Sequence, residues 1–482
     1  MSLKHWFRVC GAVACLATFP QMMASAAPWV GPGDARARYE AVKAADRGII
    51  NRTFTTWPVM WPNVEKKAGY LNFEYDKTGA PDSRAEMTIA GQTETPFVSG
   101  FEPVLSGGGR VAFTAQWQWD RWAVGVSGSG IADEDDNQSV RADGSYVATT
   151  LGNWVLGAGQ IDRWWGPGWH SSLILSNNAR PIPAFFINRS DARAPSSDWF
   201  SWIGPWDFTM MAGQLEGRRA QPDAKYLGMR LTFRPVNGLD IGLSRAIIFG
   251  GRHRPESGSV IFDALIGRDN SQDGADQDPG NQIAAVDVRY GWEAFGQTVG
   301  LYTQMAGEDE AGAFPARKSW LFGLDATSQW FGGEQQWYAE YVNTVADDLF
   351  GDALPNVTYE HFQYRSGYNH FGRAIGSSFG GDSKALTLGG YHFLRGGGEV
   401  SATVSLADIN VDGSARVVTP GDEIFYFVPQ SRTKTTIVGL GYATHFFDGW
   451  LQLRAQLQDK EIEFVSGARD RWSLGGQWTY RF

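Results

Sequence analysis

Arg471-Trp472-Ser473-Leu474-Gly475-Gly476-Gln477-Trp478-Thr479-Tyr480-Arg481-Phe482, the last residues of the chain, alternate without a break. Trp472, Leu474, Gly476, Trp478, Tyr480 and Phe482 fall on one face. Arg471, Ser473, Gly475, Gln477, Thr479 and Arg481 fall on the other. A period of two sends successive side chains to opposite faces of a strand. Aromatics at both ends of the apolar face and an aromatic last residue suit a transmembrane barrel strand of about 9–11 residues, apolar toward lipid and polar toward the lumen. A terminal Phe after alternating aromatics also resembles the signal read by outer-membrane assembly machinery. The alternative is the last strand of a soluble sandwich.

The other end supports export. Lys4, His5 and Arg8 form a basic region, Val9 to Phe19 is mostly apolar, and Ala24-Ser25-Ala26 is a small-x-small cleavage site. Residues 1–26 therefore read as a secretory signal peptide, too short to span a bilayer. Ala12-Val13-Ala14-Cys15 faintly resembles an acylation site, but the apolar run continues past it. Both cysteines, Cys10 and Cys15, lie in this segment, so the mature chain is expected to lack disulfides and thiolate metal sites.

Composition narrows the classes. After residue 26 no stretch approaches the ~18 consecutive apolar residues of a membrane helix. Aromatic content is nonetheless 14%, with 59 Gly and 21 Trp, and mean hydropathy is -0.29. Strands that are apolar on one face only give this combination. Formal net charge is -10, and losing Lys4 and Arg8 with the signal makes it more negative, which argues against a nucleic-acid partner.

The strand pattern recurs. Val111, Phe113, Ala115, Trp117 and Trp119 rise to Asp120-Arg121, and Trp122, Val124 and Val126 return, a two-residue hairpin with tryptophans at its edge. Leu227 to Phe233 and Leu239 to Leu243 flank Pro235-Val236-Asn237-Gly238. Val438 to Phe446 and Leu451 to Leu457 flank Asp448-Gly449. Similar pairs occupy Tyr146 to Gln160, Ala284 to Tyr302, Trp320 to Tyr341 and Leu386 to Leu406. Tight turns alternate with long polar connections such as Arg252 to Asn281 and Val342 to Lys384, as in outer-membrane barrels with short periplasmic turns and long external loops. The fold expected is an all-β transmembrane antiparallel barrel, residues 84–482, of roughly 16–18 strands. Before it, residues 27–83 read as an N-terminal periplasmic helical segment: Ala37, Tyr39, Val42 and Ala45 are near helical spacing, Asp34 is an N-cap and Gly48 a stop.

The middle of the chain carries the most specific local sequence: Gln160-Ile161-Asp162-Arg163-Trp164-Trp165-Gly166-Pro167-Gly168, then Leu173 to Ser176, Ala179-Arg180-Pro181-Ile182 and Trp202-Ile203-Gly204-Pro205-Trp206, with Gln214 and Lys225 following. Arg252-His253-Arg254-Pro255-Glu256, Gly267-Arg268-Asp269-Asn270 and Asp278-Pro279-Gly280-Asn281-Gln282 come later. Together with Asp46-Arg47-Gly48, Thr56-Trp57-Pro58 and Gly307-Glu308-Asp309-Glu310, these resemble, in order, the Wzi family of outer-membrane capsule-assembly proteins. The resemblance implies about 18 strands, a periplasmic helical bundle and a lectin-like role in holding capsular polysaccharide at the cell surface. The chain departs from the family at Val64 to Ser83, which is short, polar and interrupted by Gly69, Gly79 and Pro81. The bundle is therefore expected to be reduced to one or two helices.

The chemistry of the middle region suits a sugar. Trp164 and Trp165 offer flat faces to pyranose C–H groups. Gly166 and Gly168 allow close backbone approach, and Gln160, Asp162, Arg163 and Arg180 can orient a ligand. Arg also matches a carboxylate in bidentate fashion. Trp202 and Trp206 complete the candidate polysaccharide-binding set. For each residue a structural role stands beside this one: aromatic girdle for Trp, a turn for Gly-Pro-Gly, cross-lumen pairing for Arg and Asp. The acidic run Asp269 to Asp278 has oxygen ligands suited to calcium but lacks the last Glu of an EF-hand loop, and a solvated loop is the simpler reading. His170-Ser171-Ser172 with Asn177 superficially resembles a hydrolase site, which needs a base within reach of the serine. The expectation is thus a non-catalytic, monomeric, lectin-like barrel without cofactor or metal. Its partners would be capsular or extracellular polysaccharide, outer-membrane lipid and lipopolysaccharide, and the assembly machinery during biogenesis. A diffusion porin is the alternative, discriminated by whether the lumen is open.

Overall fold

The structure is a computed structural model that describes residues 27–64, 83–254, 256, 280–308, 317–347, 353–421 and 423–482. The expected signal peptide, most of Val64 to Ser83 and the Asp269 to Asp278 run lie outside the described residues.

One antiparallel sheet closes on itself. Its spanning strands are β1 (Ser83–Gln92), β2 (Gly109–Trp119), β3 (Trp122–Ala132), β4 (Tyr146–Leu151), β5 (Trp154–Gly159), β6 (Ala184–Arg189), β7 (Trp206–Gln214), β8 (Lys225–Val236) and β9 (Leu239–Phe249). Then come β10 (Gly280–Ala294), β11 (Gln297–Glu308), β12 (Arg317–Ser328), β13 (Gly333–Asp347), β14 (Lys384–Leu394), β15 (Glu399–Ile409), β16 (Thr433–Phe446), β17 (Gly449–Gln458) and β18 (Trp472–Arg481). These eighteen strands close where β18 meets β1, Gly475 opposite Gln92 and Arg481 opposite Glu86. A two-residue piece, Val140–Arg141, adds to the β3 edge. Closure joins the first strand to the last, so neither terminal strand presents an unpaired edge to hydrocarbon.

The alternation decides the orientation of each face. Ile89, Phe113, Leu243, Leu324, Leu440 and Leu474 point outward and are exposed, while Arg230, Asp287, Arg289, Gln304, Asp325 and Glu340 point inward and are buried. A soluble sandwich would have the reverse, so the outer surface belongs in lipid. No described helix is long and apolar enough to cross a membrane. An aromatic belt rings the short-turn end, with Trp119, Trp122, Tyr290, Trp337, Trp478 and Tyr480 on strand ends. Turns at this end are tight: Asp120, Phe295, Phe331, Phe447 and Asp448 take positive φ, the conformation that two-residue hairpins demand. Long connections gather at the other end. Among the described connections between spanning strands, the long one on the short-turn side joins β6 to β7, residues 190–205.

The helix appears where expected. α1 spans Ala35–Asp46, Asp34 caps it by accepting from the Ala37 N–H, and Gly48 follows at φ +69°. It does not stand apart from the barrel. Its residues are mostly buried, because it lies in the lumen with its last turn at the short-turn mouth. There Asp46 pairs with Arg289 at 2.7 Å, Lys43 with Glu334 at 2.6 Å, and Arg234 donates to the Ala45 carbonyl at 2.8 Å. The first barrel strand opens at Ser83.

Candidate functional site

Residues 160–183 leave the long-connection end, descend into the lumen and return. The chain is pinned at the top, where the Gly144 N–H donates to the Gln160 carbonyl at 2.7 Å and the Gln160 N–H to the Ser145 carbonyl at 2.8 Å. It is pinned again at depth, where Trp164 and Trp165 pair with Trp57 and Thr56. The Gly166 N–H donates to the Thr55 carbonyl at 2.9 Å. Gly166 is required here: its φ is +140°, and a Cβ would come within 2.9 Å of the Gln304 amide. Lower still, Glu340 on β13 accepts the backbone N–H groups of Trp169, His170 (3.0 Å) and Ser171 (3.0 Å) and the Tyr302 hydroxyl (2.8 Å). The Arg38 guanidinium of α1 lies 4.5 Å from the Phe101 ring and 4.4 Å from the Trp169 ring and donates to the Pro167 carbonyl at 2.7 Å. Helix, descending segment and wall thus form one packed plug.

The expected sugar-binding residues do not share a site. Trp164 and Trp165 are 1% and 0% exposed and pack in the plug core, Trp164 against Phe101 at 5.5 Å. Neither has a face open to a ring from outside. Trp202 and Trp206 lie at the opposite, short-turn end of the barrel, because the 190–205 connection is on that side. Only Asp162, Arg163 and Arg180 line a common cavity, of about 20 Å³, room for roughly one water. Gln160 is half-buried beside it. Arg180 is held by Asp143 (2.9 Å) and Asp136 (2.7 Å). Arg163 donates to the Ile161 carbonyl and stacks 5.1 Å from the Phe186 ring, while its buried Nε and Nη2 have no hydrogen-bond partner among the described residues. Burial, with Asp143 nearby, pushes the Asp162 carboxyl up to about 6 against the pull of Arg110 and Arg163.

The hydrolase constellation is not assembled. The Ser171 hydroxyl meets Ser377 Oγ at 2.9 Å, Ser172 donates to the Trp165 carbonyl, and Asn177 donates to the Phe101 carbonyl. Among the described residues His170 Nε2 has no hydrogen-bond partner, so no described serine is bonded to it.

A different surface is built at the long-connection end. Three connections, 215–224, 250–254 and 360–370, are stapled together. Arg219, fully buried, donates to the carbonyls of Asn369 (2.9 Å) and Gly367 (3.1 Å). Glu216 receives His370 Nδ1 at 2.6 Å and lies 3.5 Å from Arg219. Burial would raise the Glu216 carboxyl, but Arg219 and His370 outweigh it and hold it down to about 2. The Arg252 N–H donates to the Pro222 carbonyl at 2.8 Å, and the Tyr364 hydroxyl to the Gly250 carbonyl at 3.3 Å. Arg254 stacks 5.1 Å from the Tyr364 ring. This platform exposes Arg218, Arg252, His253, Phe362 and Arg365. The 252–254 motif stands out in the sequence, whereas Phe362 and Arg365 lie in a stretch with no periodic signal.

A closed barrel with a plugged lumen and a built outer platform defines a class: a membrane barrel that presents a surface at its long-connection end. Residues 80–472 match the family of the capsule assembly protein Wzi, and the chain belongs to that family. A protein of the cps region of Klebsiella pneumoniae, an uncharacterized 55.8 kDa chain, is 33% identical over 318 residues, 62% of this chain and 62% of that one. The match thus spans under two thirds of that relative. Wzi of Escherichia coli, described as an outer-membrane, carbohydrate-binding β-barrel involved in group 1 capsule assembly, superposes with a TM-score of 0.80 at 24% identity, covering 95% of this chain and all of that one. At that identity the likeness shows the fold.

Proposed function

We propose that this protein is a non-catalytic, lectin-like barrel of the outer membrane that retains and organises capsular or extracellular polysaccharide at the cell surface. The observation that carries this reading is the plugged lumen beneath a rigid outer platform. The descending segment, α1 and the wall interlock through Glu340, Arg38 and Arg289, so a diffusion channel is the poorer fit. The platform residues Arg252 and Arg365, with His253 and Phe362 beside them, combine guanidinium groups with aromatic rings, chemistry suited to a glycan bearing carboxylates. Family membership and the carbohydrate-binding description of the E. coli barrel support the same reading. Asp162, Arg163 and Arg180, with Gln160, serve as a contact below the platform or as its support. Trp164 and Trp165 support the site from within.

The same reading has the chain exported by a cleaved 1–26 signal, delivered by the outer-membrane assembly machinery through its terminal strand and Phe482, and working as a monomer among lipid and lipopolysaccharide. Its test compares a clean deletion with the complemented strain, measuring cell-bound and released polysaccharide. Shedding at normal total yield supports retention. Unchanged fractions in a strain that makes such a polymer sink it, and planar-bilayer conductance then tests the porin alternative.

A further inference from the structure

The 190–205 connection ends in a compact aromatic tip. Trp199, Phe200 and Trp202 are 86%, 56% and 64% exposed, although their backbone is well ordered by hydrogen bonds. The Phe200 N–H donates to the Ser197 carbonyl, the Ser201 hydroxyl to the Asp198 carbonyl and the Ile203 N–H to the Phe200 carbonyl, all at 3.0–3.1 Å. Gly204, at φ +69°, closes the turn where a Cβ would strike the Arg234 carbonyl. Water is a poor medium for three fixed, adjacent aromatics, and a patch of this kind marks a partner.

What covers them is indicated by the rest of that end. Phe295, Phe331 and Phe447 sit at the tips of three hairpins, almost wholly exposed and at φ +52°, +51° and +45°. Bulky residues seldom accept this conformation, and Gly or Asn would fill these turns more easily. Trp330 beside Phe331 is exposed as well. These tips belong to the β10–β11, β12–β13 and β16–β17 hairpins, and the foot to β6–β7, so the exposed aromatics are spread around the mouth rather than gathered on one side. A protein partner would touch one side, whereas a bilayer touches all of them. The foot is also continuous with the strand belt: Trp206 lies 6.4 Å from Trp154, which lies 6.2 Å from Phe208.

We propose that the 190–205 connection is a membrane foot, its Trp199, Phe200 and Trp202 seated in the phospholipid headgroup zone of the leaflet at the short-turn end, with the tips Phe295, Phe331 and Phe447 seated around the same rim. Indole and phenyl rings favour that zone, which accepts an apolar ring with a polar edge. The foot also holds the N-terminal segment. Asn63 donates to the Ser190 carbonyl and accepts from the Ala192 N–H, and Arg52 pairs with Asp191. The leaflet therefore positions the entrance to the plug. The inference assigns Trp202 a role other than sugar contact and requires only that the barrel spans a bilayer, not that it binds glycan.

The test uses the full chain with Cys10 and Cys15 replaced by serine, reconstituted in phosphatidylcholine–phosphatidylglycerol vesicles. Single cysteines are introduced by Trp202→Cys, Phe331→Cys and, as an aqueous control in the 410–432 connection at the long-connection end, Ser414→Cys, an exposed position. Each carries a polarity-sensitive fluorophore. Nitroxide at the lipid headgroup should remove most of the emission at 202 and 331, with little loss to aqueous iodide, and the control should show the reverse. Strong iodide quenching at 202, as at 414, overturns the proposal. So does protection from both quenchers, which would mean that protein covers the foot.

Discussion

Asp46, the last residue of α1, and Arg289, in the wall strand β10, form a fork-to-fork pair with both contacts at 2.7 Å. Arg289 holds Asp325 on β12 at 3.0 Å at the same time. One guanidinium thus ties the plug to two positions in the wall. Because all three groups are buried, removing one leaves the others charged in a poor solvent. Asp46→Ala is expected to destabilise the plugged state by about 3–5 kcal/mol and to produce flickering ion conductance in planar bilayers. A silent, normally stable variant would show that the pair does not hold the plug.

Glu340 makes a second lock. Its carboxylate collects three successive N–H groups, so Glu340→Ala leaves several buried donors without acceptors, at about 1–3 kcal/mol each. The segment around Trp169 should then become accessible to protease from the external side while the strands keep their β signature. Unaltered protection would mean that packing against Arg38 alone retains the segment.

Lipid, not water, faces the outer wall. Leu440 is 57% exposed on β16, and by soluble-protein logic a charge there would be harmless. In a bilayer, Leu440→Arg, midway along β16, is expected to cost about 2–4 kcal/mol, read as a lower urea midpoint in vesicles. A change of less than about 0.5 kcal/mol, the usual surface-substitution range, would argue against a membrane-embedded wall.

Support and contact should separate on mutation. Trp165→Ala opens a cavity in the plug and should reduce stability by about 3–5 kcal/mol, with glycan binding lost only as the fold loosens. Phe362→Ala on the platform should leave stability within about 0.5 kcal/mol and weaken binding about tenfold or more, the loss of an aromatic anchor. Isothermal titration with purified polysaccharide alongside thermal melts would distinguish the two. The opposite pattern returns the site to the 160–183 segment.

The platform should loosen in acid. The folded-state value of Glu216 lies below its unfolded value of about 4.5, so the stability it supplies is complete above that pH and is lost as pH falls toward about 2. Asp382, just ahead of β14 and accepting the Asn356 N–H at 2.7 Å, behaves in the opposite sense. Burial, with Asp412 and Glu360 nearby, raises it to about 7, so its linkage lowers stability as pH rises from about 4 to 7. Glu216→Gln should flatten the acid limb of a pH–stability curve, and Asp382→Asn the neutral limb. Curves parallel to the parent would refute these assignments.

The sequence by itself determined the wall, its closure class and the helix. A period of two needs no distant partner: it states which side chains share a face, and aromatics at strand ends state that the outer face meets lipid. Asp34, Gly48 and the two-residue turns act within a few residues, so they were legible too. Only the tertiary structure decided what the inward face meets. An inward Arg or Glu looks the same in sequence whether it lines water or grips a plug, and the partner of Glu340 lies 169–171 residues away at Trp169 to Ser171. The same holds for the tryptophans. Trp164-Trp165 and Trp202 carry the same chemistry, yet one pair is sealed inside the lumen and the other residue faces outward at the opposite mouth. Which end of the barrel a connection joins, and whether it turns inward, is set by the packing of the whole wall and not by any local pattern.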